Sequence, residues 1–117
     1  KDGGILIGNL NMDGFESTIL GKNNPGIFTM PARLNFFNIK SIETILKKTR
    51  FKNISTITSG KLDVDIVRQF WKNNNLNKNI FLEKIILGED NLKKAFQEFL
   101  INNNLSSHMT TIAYKKD

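Results

Sequence analysis

Short apolar runs alternate with amphipathic helical patterns along this chain, and that alternation most constrains its fold. Residues 5–7 (Ile-Leu-Ile) form an aliphatic run typical of a strand buried on both faces. Residues 53–58 alternate Ile with β-branched Thr, and Gly60 ends the pattern. Residues 109–114, rich in Thr, Ile and Tyr, indicate a last strand before a charged tail.

Three segments between these runs carry helical periodicity. Asn38 is a good N-cap for the first, Asp63 for the second, and the acidic pair Glu89-Asp90 suits the positive end of the third. The apolar stripes of the three helices are Ile42, Ile45 and Leu46; Val64, Val67, Phe70 and Trp71; and Leu92, Ala95, Phe96, Phe99 and Leu100. The third stripe follows helical spacing without a polar interruption, so this helix has the clearest sequence signal of the three.

The other segments are less regular. Residues 9–14 and 21–26 are polar and loop-like, and residues 15–20 can form one or two helical turns. Residues 80–87 fit either a strand or a buried helical turn, and we expect an extended or irregular segment there. The order strand, loop, helix, strand, helices, strand predicts an α/β layer architecture.

The first strand begins only a few residues into the sequence. A strand buried on both faces needs neighbours, and nothing upstream in these residues can supply them. With 117 residues the chain is one small domain or a piece of a larger one. We therefore expect the first part of the fold to lie outside this sequence.

Composition excludes several classes of protein. There is no apolar run near the roughly 18 to 20 residues that a membrane span needs, and no secretory leader, so we expect a cytoplasmic protein with no membrane partner. The absence of cysteine excludes disulfides, thiolate metal sites, Fe–S clusters and a cysteine nucleophile.

The net charge of +6 favours acidic partners, but it is spread along the chain. Residues 1–60 carry eight basic and four acidic side chains, and residues 61–117 carry nine and seven. The asparagine runs, with abundant Ile and Lys, are typical of an AT-rich genome, which raises the lysine content without a function. We therefore interpret the charge as compositional background and do not expect a nucleic-acid partner.

Motifs for catalysis are absent from the sequence. It lacks the glycine-rich phosphate loops, G-x-S-x-G and H-E-x-x-H, and with a single histidine it has no histidine pair for a metal. His108, at the start of the last strand, fits a strand-end role better than that of a general base. Asp63 and Asp65 are best explained as a helix N-cap and a first-turn acid.

Two further features leave alternatives open. Phe36-Phe37 precedes the first amphipathic helix, where such a pair more often contributes to the core than to an aromatic lip over a planar ligand. Arg33, between Pro31 and Leu34, could form a bidentate hydrogen bond with a ligand carboxylate or phosphate, or it could form a surface salt bridge.

Several motifs succeed one another in a recognisable order. They are Lys1-x-Gly3-Gly4-Ile5-Leu6-Ile7, Asn9-x-x-x-Gly14-Phe15, Pro31-x-x-Leu34-Asn35-Phe36-Phe37, Ser41-Ile42-x-x-Ile45-Leu46 and Gly60-Lys61-Leu62-Asp63-Val64-Asp65. Together they resemble the distal half of class I S-adenosylmethionine-dependent methyltransferases, in the branch that modifies small molecules and sugars.

The resemblance implies an α/β fold, the distal part of a Rossmann-like methyltransferase sheet. Residues 1–60 would hold the fifth strand, a substrate-side loop, a helix and the sixth strand. Residues 61–105 would be a helical insertion, and residues 106–117 the seventh strand, inserted antiparallel. The S-adenosylmethionine cofactor would be bound mainly by a preceding half, so the chain should not methylate anything alone.

The resemblance also implies a substrate side in this chain. Asn9, Asn11, Met30, Arg33 and Asn35 would face a small-molecule acceptor, a sugar or an anionic compound. It assigns no cofactor ligand, metal ligand or catalytic residue here, and Arg33 replaces a histidine of the family pattern. The sequence is compatible with a homo-oligomer. The alternatives are a non-enzymatic module that binds RNA or a protein partner, and a non-catalytic remnant or subunit completed by another chain.

Overall fold

The computed structural model describes residues 3–24, 27, 36–73 and 79–115. The elements of this part are, in chain order, β1 (Gly3–Leu10), α1 (Phe15–Leu20), a 3-10 turn (Gly21–Asn23), α2 (Ile39–Lys48), β2 (Phe51–Thr58), α3 (Asp63–Asn73), α4 (Ile80–Ile86), α5 (Asp90–Asn102) and β3 (His108–Lys115). The expected α/β architecture is confirmed at this level. None of the described helices combines the length and the hydropathy that a membrane span requires.

The three strands form one sheet in the order β1-β3-β2. β3 is antiparallel to both neighbours, so β1 and β2 run parallel to each other on either side of it. The pairing of β1 with β3 extends to Leu10 opposite His108. This corrects the loop expected at residues 9 and 10, because main-chain pairing with β3 outweighs the polar character of the segment. The carboxyl ends of β1 and β2 therefore lie at one edge of the sheet.

Helix α2 covers one face of this sheet. Ile42 and Leu46 of α2 pack with Met109 and Ala113 of β3, and all four side chains are buried. The N-terminus of α2 is fixed by a capping box, in which the Asn38 side chain accepts a hydrogen bond from the Ser41 backbone N–H at 2.8 Å. The first predicted amphipathic helix and its N-cap are confirmed.

The opposite face of the sheet is uncovered by the described residues. Leu6 of β1 is 71% exposed, Ile57 of β2 is 55% exposed and Ile112 of β3 is 41% exposed. Successive side chains of a strand point to opposite faces. Ile5 and Ile7 therefore pack against the α2 side while Leu6 does not. The expectation that this strand is buried on both faces is wrong for the described part of the chain.

A second apolar cluster lies among the helices. Leu20 of α1, Val67 of α3 and Ile86 of α4 form its buried centre. The existence of α4 corrects the extended segment expected at residues 80–87. The Asn79 side chain accepts hydrogen bonds from the backbone N–H groups of Phe81 and Leu82, at 3.0 and 3.2 Å, and so caps the helix.

Helix α5 occurs where its periodicity predicts it, but its predicted stripe is only partly buried. Leu100 is 2% exposed, whereas Leu92 and Phe99 are 45% and 52% exposed. Gln97 is buried instead, at 8% exposure. A polar side chain occupies this face because its amide bonds groups at the ends of β2 and α3, as described next.

Candidate functional site

A cavity of about 430 Å³ lies at the carboxyl ends of β1 and β2. It is lined by Leu10, Glu16, Ser59, Gly60, Lys61, Leu62, Asp63, Ile66, Ser107 and His108. Its volume falls within the range of small-ligand sites, and the carboxyl ends of strands are the usual place for ligands in α/β sheets. A second cleft, of about 470 Å³, lies between α3 and α5, but there Lys93 is paired with Asp65 at 2.7 Å.

The Asp63 carboxylate is the centre of a buried polar network beneath this cavity. Asp63 is 2% exposed. Its Oδ1 atom accepts a hydrogen bond from the Ser107 backbone N–H at 2.6 Å. Its Oδ2 atom accepts from the Ser106 hydroxyl at 2.8 Å and from the Gln97 amide at 3.1 Å. One carboxylate thus joins the start of α3 to α5 and to the segment entering β3.

The sequence predicts that the Asp63 side chain caps the N-terminus of α3, but in the structure Gln97 bonds the first turn of that helix. Its Oε1 atom accepts from the Val64 backbone N–H in the first turn of α3, at 3.0 Å, and its Nε2 atom donates to the Gly60 carbonyl at 2.8 Å. The Asp63 carboxylate bonds the segment before β3 instead of its own helix. Asp65 is a first-turn acid as expected.

The end of β1 is tied to the same segment. The Asn11 backbone N–H donates to the Ser107 carbonyl at 2.6 Å, and the Asn11 side-chain amide donates to the Ser106 carbonyl at 3.0 Å. The Asn11 Oδ1 atom accepts from the Asp13 backbone N–H at 3.2 Å. Asn11 is 1% exposed, so its amide is bound within the fold beside the cavity.

Of the predicted acceptor residues the structure describes Asn9 and Asn11, and neither is among the residues that line the cavity. Asn9 is half-buried in β1, paired with Met109, and lies on the α2 side of the sheet. Met30, Arg33 and Asn35 lie outside the described residues. Of the pair before α2, Phe37 packs against the core, whereas Phe36 is 42% exposed.

Sequence reasoning missed the buried partners Gln97, Ser106 and Ser107. Ser106 and Ser107 lie in a short polar stretch that reads as an ordinary loop. Gln97 stands three residues before Leu100, a spacing that places both on one face of a helix. That spacing was the signal available, but a polar residue beside a stripe is normally assigned to solvent.

Two exposed side chains flank the cavity. The His108 ring lies over Gly8 of β1, so that a Cβ atom at Gly8 would be 3.8 Å from its Cε1 atom. His108 is the first residue of β3, as its strand-end interpretation predicts. Lys61 forms no ion pair with a described residue. Within the described ranges no group of three or more His, Cys, Asp or Glu residues could hold a metal ion.

The glycines beside the cavity do not form an open cradle for a nucleotide-like cofactor. A Cβ atom at Gly14 would meet Ser107, and one at Gly60 would meet Ser106 and lie 2.9 Å from the Asp63 carboxylate. Close protein packing, and not free space, therefore explains both glycines. These two glycines therefore leave no room for the close backbone approach that a nucleotide-like cofactor such as S-adenosylmethionine needs.

Comparison with protein-family models finds no match for this chain. Searches of the curated proteins and of the solved structures likewise find no relative.

Proposed function

We propose that these 117 residues are the C-terminal part of a class I S-adenosylmethionine-dependent methyltransferase that acts on a small molecule or a sugar. The observation that carries the proposal is the strand arrangement. β3 lies between β1 and β2 and is antiparallel to both. The motif resemblance equates these strands with the fifth, sixth and seventh of the family sheet, and it calls for a last strand inserted antiparallel.

The distribution of helices supports the same assignment. α2 follows the substrate-side loop of the resemblance and covers one face of the sheet between β1 and β2. α3, α4 and α5 all lie between β2 and β3, where the resemblance calls for a helical insertion.

The cavity at the carboxyl ends of β1 and β2 is the acceptor side in this proposal. Methyl transfer is a displacement reaction in which an enzyme gains much by holding the two reactants in the right orientation. Fixed backbone around the cavity provides that orientation, because Asp63, Gln97 and Asn11 bind the segments that surround it. No catalytic proton transfer is assigned to this chain.

The test is calorimetric titration of S-adenosylhomocysteine into the 117-residue chain and into a protein extended upstream by about 100 residues or more, the size of the missing half-domain. Binding to the extended protein alone is the expected result, because the cofactor residues are assigned there. Binding to neither protein would contradict the methyltransferase proposal. Tight binding to the 117-residue chain would contradict the division of the cofactor site.

A further inference from the structure

We propose that the cavity at the carboxyl ends of β1 and β2 binds a small organic amine with an apolar body. The inference names the acceptor class only if the proposed function holds, and in that case the amine is the molecule methylated. Amine binding itself is a property of the described residues and does not require that function.

The Asp63 carboxylate gives the cavity a negative electrostatic potential. Its three hydrogen-bond donors are a hydroxyl, a backbone N–H and a side-chain amide, and all three are uncharged. It forms no ion pair with a described residue. A carboxylate that is 2% exposed is poorly screened by water, so its negative potential extends into the adjoining cavity. A protonated amine placed there is stabilised, and an anion is repelled.

The walls of the cavity carry apolar side chains. Leu10, Leu62 and Ile66 line the cavity, and Leu62 is 61% exposed, so its side chain is available to a ligand. A body of one aromatic ring fits easily within about 430 Å³. Burying its surface against these side chains supplies the non-directional part of the affinity.

His108 and Lys61, which flank the cavity, also interact with a bound ligand. His108 presents an imidazole that can accept a hydrogen bond from an ammonium group when it is neutral. Lys61 is an exposed cation that lines the same cavity. Its positive charge weakens the binding of an amine and strengthens the binding of an anion. Removing the Lys61 charge should therefore change the two affinities in opposite directions.

The experiment is an NMR titration of the 117-residue chain with three probes of similar shape, 2-phenylethylamine, 2-phenylethanol and phenylacetate. His108 is the chain's only histidine, so its ring signals report on the cavity without ambiguity. We expect the amine to bind at least about tenfold more tightly than the alcohol, and phenylacetate to bind most weakly. Phenylacetate binding as tightly as the amine, or no probe shifting the His108 signals, would overturn the proposal.

Two carboxylate variants form a matched pair. Asp63→Asn should reduce the preference for the amine over the alcohol, although the Glu16 carboxylate of the same lining remains, whereas Asp65→Asn, on the same helix but outside the cavity lining, should leave the preference unchanged. Lys61 is exposed, so Lys61→Ala should not disturb folding. This variant should bind the amine more tightly than the wild type and phenylacetate more weakly. If Asp63→Asn does not fold, the Lys61→Ala variant tests the proposal. Weaker binding of 2-phenylethylamine by this variant than by the wild type would contradict it.

These outcomes are separate from those of the cofactor titration. Amine selectivity without S-adenosylhomocysteine binding by the extended protein would retain the site and remove the methyltransferase assignment. Cofactor binding by the extended protein, with no amine selectivity in the chain, would retain the enzyme class and remove the amine as its acceptor.

Discussion

Asp63 and Ser107 are 44 residues apart in sequence, yet the Asp63 Oδ1 atom accepts a 2.6 Å hydrogen bond from the Ser107 backbone N–H. Both residues are 2% exposed. This bond connects the first turn of α3 to the segment that enters the central strand. Water cannot replace the carboxylate at a buried N–H, so the contact fixes the chain path beneath the cavity.

Removal of this carboxylate is expected to destabilise the fold strongly. Asp63→Ala leaves the Ser107 N–H and one Gln97 N–H without their acceptor, and it leaves the Ser106 hydroxyl only the Gly60 carbonyl at 3.2 Å, so it should lower the free energy of unfolding by about 3 kcal/mol. Asp65→Ala removes an exposed pair with Lys93 and should change it by about 1 kcal/mol or less. Urea denaturation of both variants measures the difference. Equal losses would show that the Asp63 network contributes no more than a surface pair.

The close approach of Gly14 to Ser107 predicts a steric effect. Gly14 has φ −71° and ψ 161°, which alanine adopts without strain, but an added Cβ atom would lie 2.7 Å from the Ser107 backbone nitrogen. Gly14→Ala should destabilise the protein by about 1 to 3 kcal/mol. Gly3→Ala is the control, because a Cβ atom there meets nothing within 4 Å. Thermal unfolding that leaves both variants at the wild-type midpoint would refute the close approach.

Two neighbouring apolar residues of α5 should differ in their contribution to stability. Leu100 is 2% exposed, so Leu100→Ala should destabilise by about 2 to 5 kcal/mol. Phe99 is 52% exposed and stacks on Phe96 with ring centroids 6.1 Å apart, so Phe99→Ala should cost about 1 kcal/mol. Chemical denaturation of the two variants tests this order, and a larger loss at Phe99 would contradict the burial of α5.

The cap of α4 gives a prediction for the helix that sequence periodicity did not resolve. Asn79→Ala removes the acceptor for the N–H groups of Phe81 and Leu82 and should destabilise by about 1 kcal/mol. Asn91→Ala, at an exposed position in the first turn of α5, should be neutral or slightly stabilising. Faster amide hydrogen exchange confined to α4 in the Asn79 variant would support the cap. Unchanged exchange there would contradict it.

Local patterns were sufficient wherever a segment's own residues decided its conformation. The capping residue Asn38 and the spacing of Ile42 and Leu46 predicted α2, because helix caps and one-sided burial act within a few residues. The same reasoning failed at residues 80–87, since a seven-residue helix presents too few turns for its period to be read. There Ile86 is buried by α1 and α3, which the local sequence does not reveal.

Local sequence patterns did not predict the hydrogen-bond partners that form the candidate site. The family resemblance implied that Asn11 faces an acceptor, whereas in the structure its side-chain amide bonds the Ser106 carbonyl and the Asp13 backbone N–H. Gln97 lies in an amphipathic helix and received no role from the sequence, but in the structure it bonds Gly60, Asp63 and Val64. Hydrogen-bond partners 30 or more residues away in sequence depend on which elements meet in space.

By itself, the sequence determined the mixed α/β class, the three strands and most of the helices, because propensity, periodicity and capping are short-range properties. Only the tertiary structure decided the register in which β3 pairs with β1 and β2, that Leu6 remains exposed, and that Asp63 and Ser107 meet under a cavity. The physical reason is that strand pairing and buried polar networks are long-range. Their free energy depends on the whole fold, and no local segment carries it.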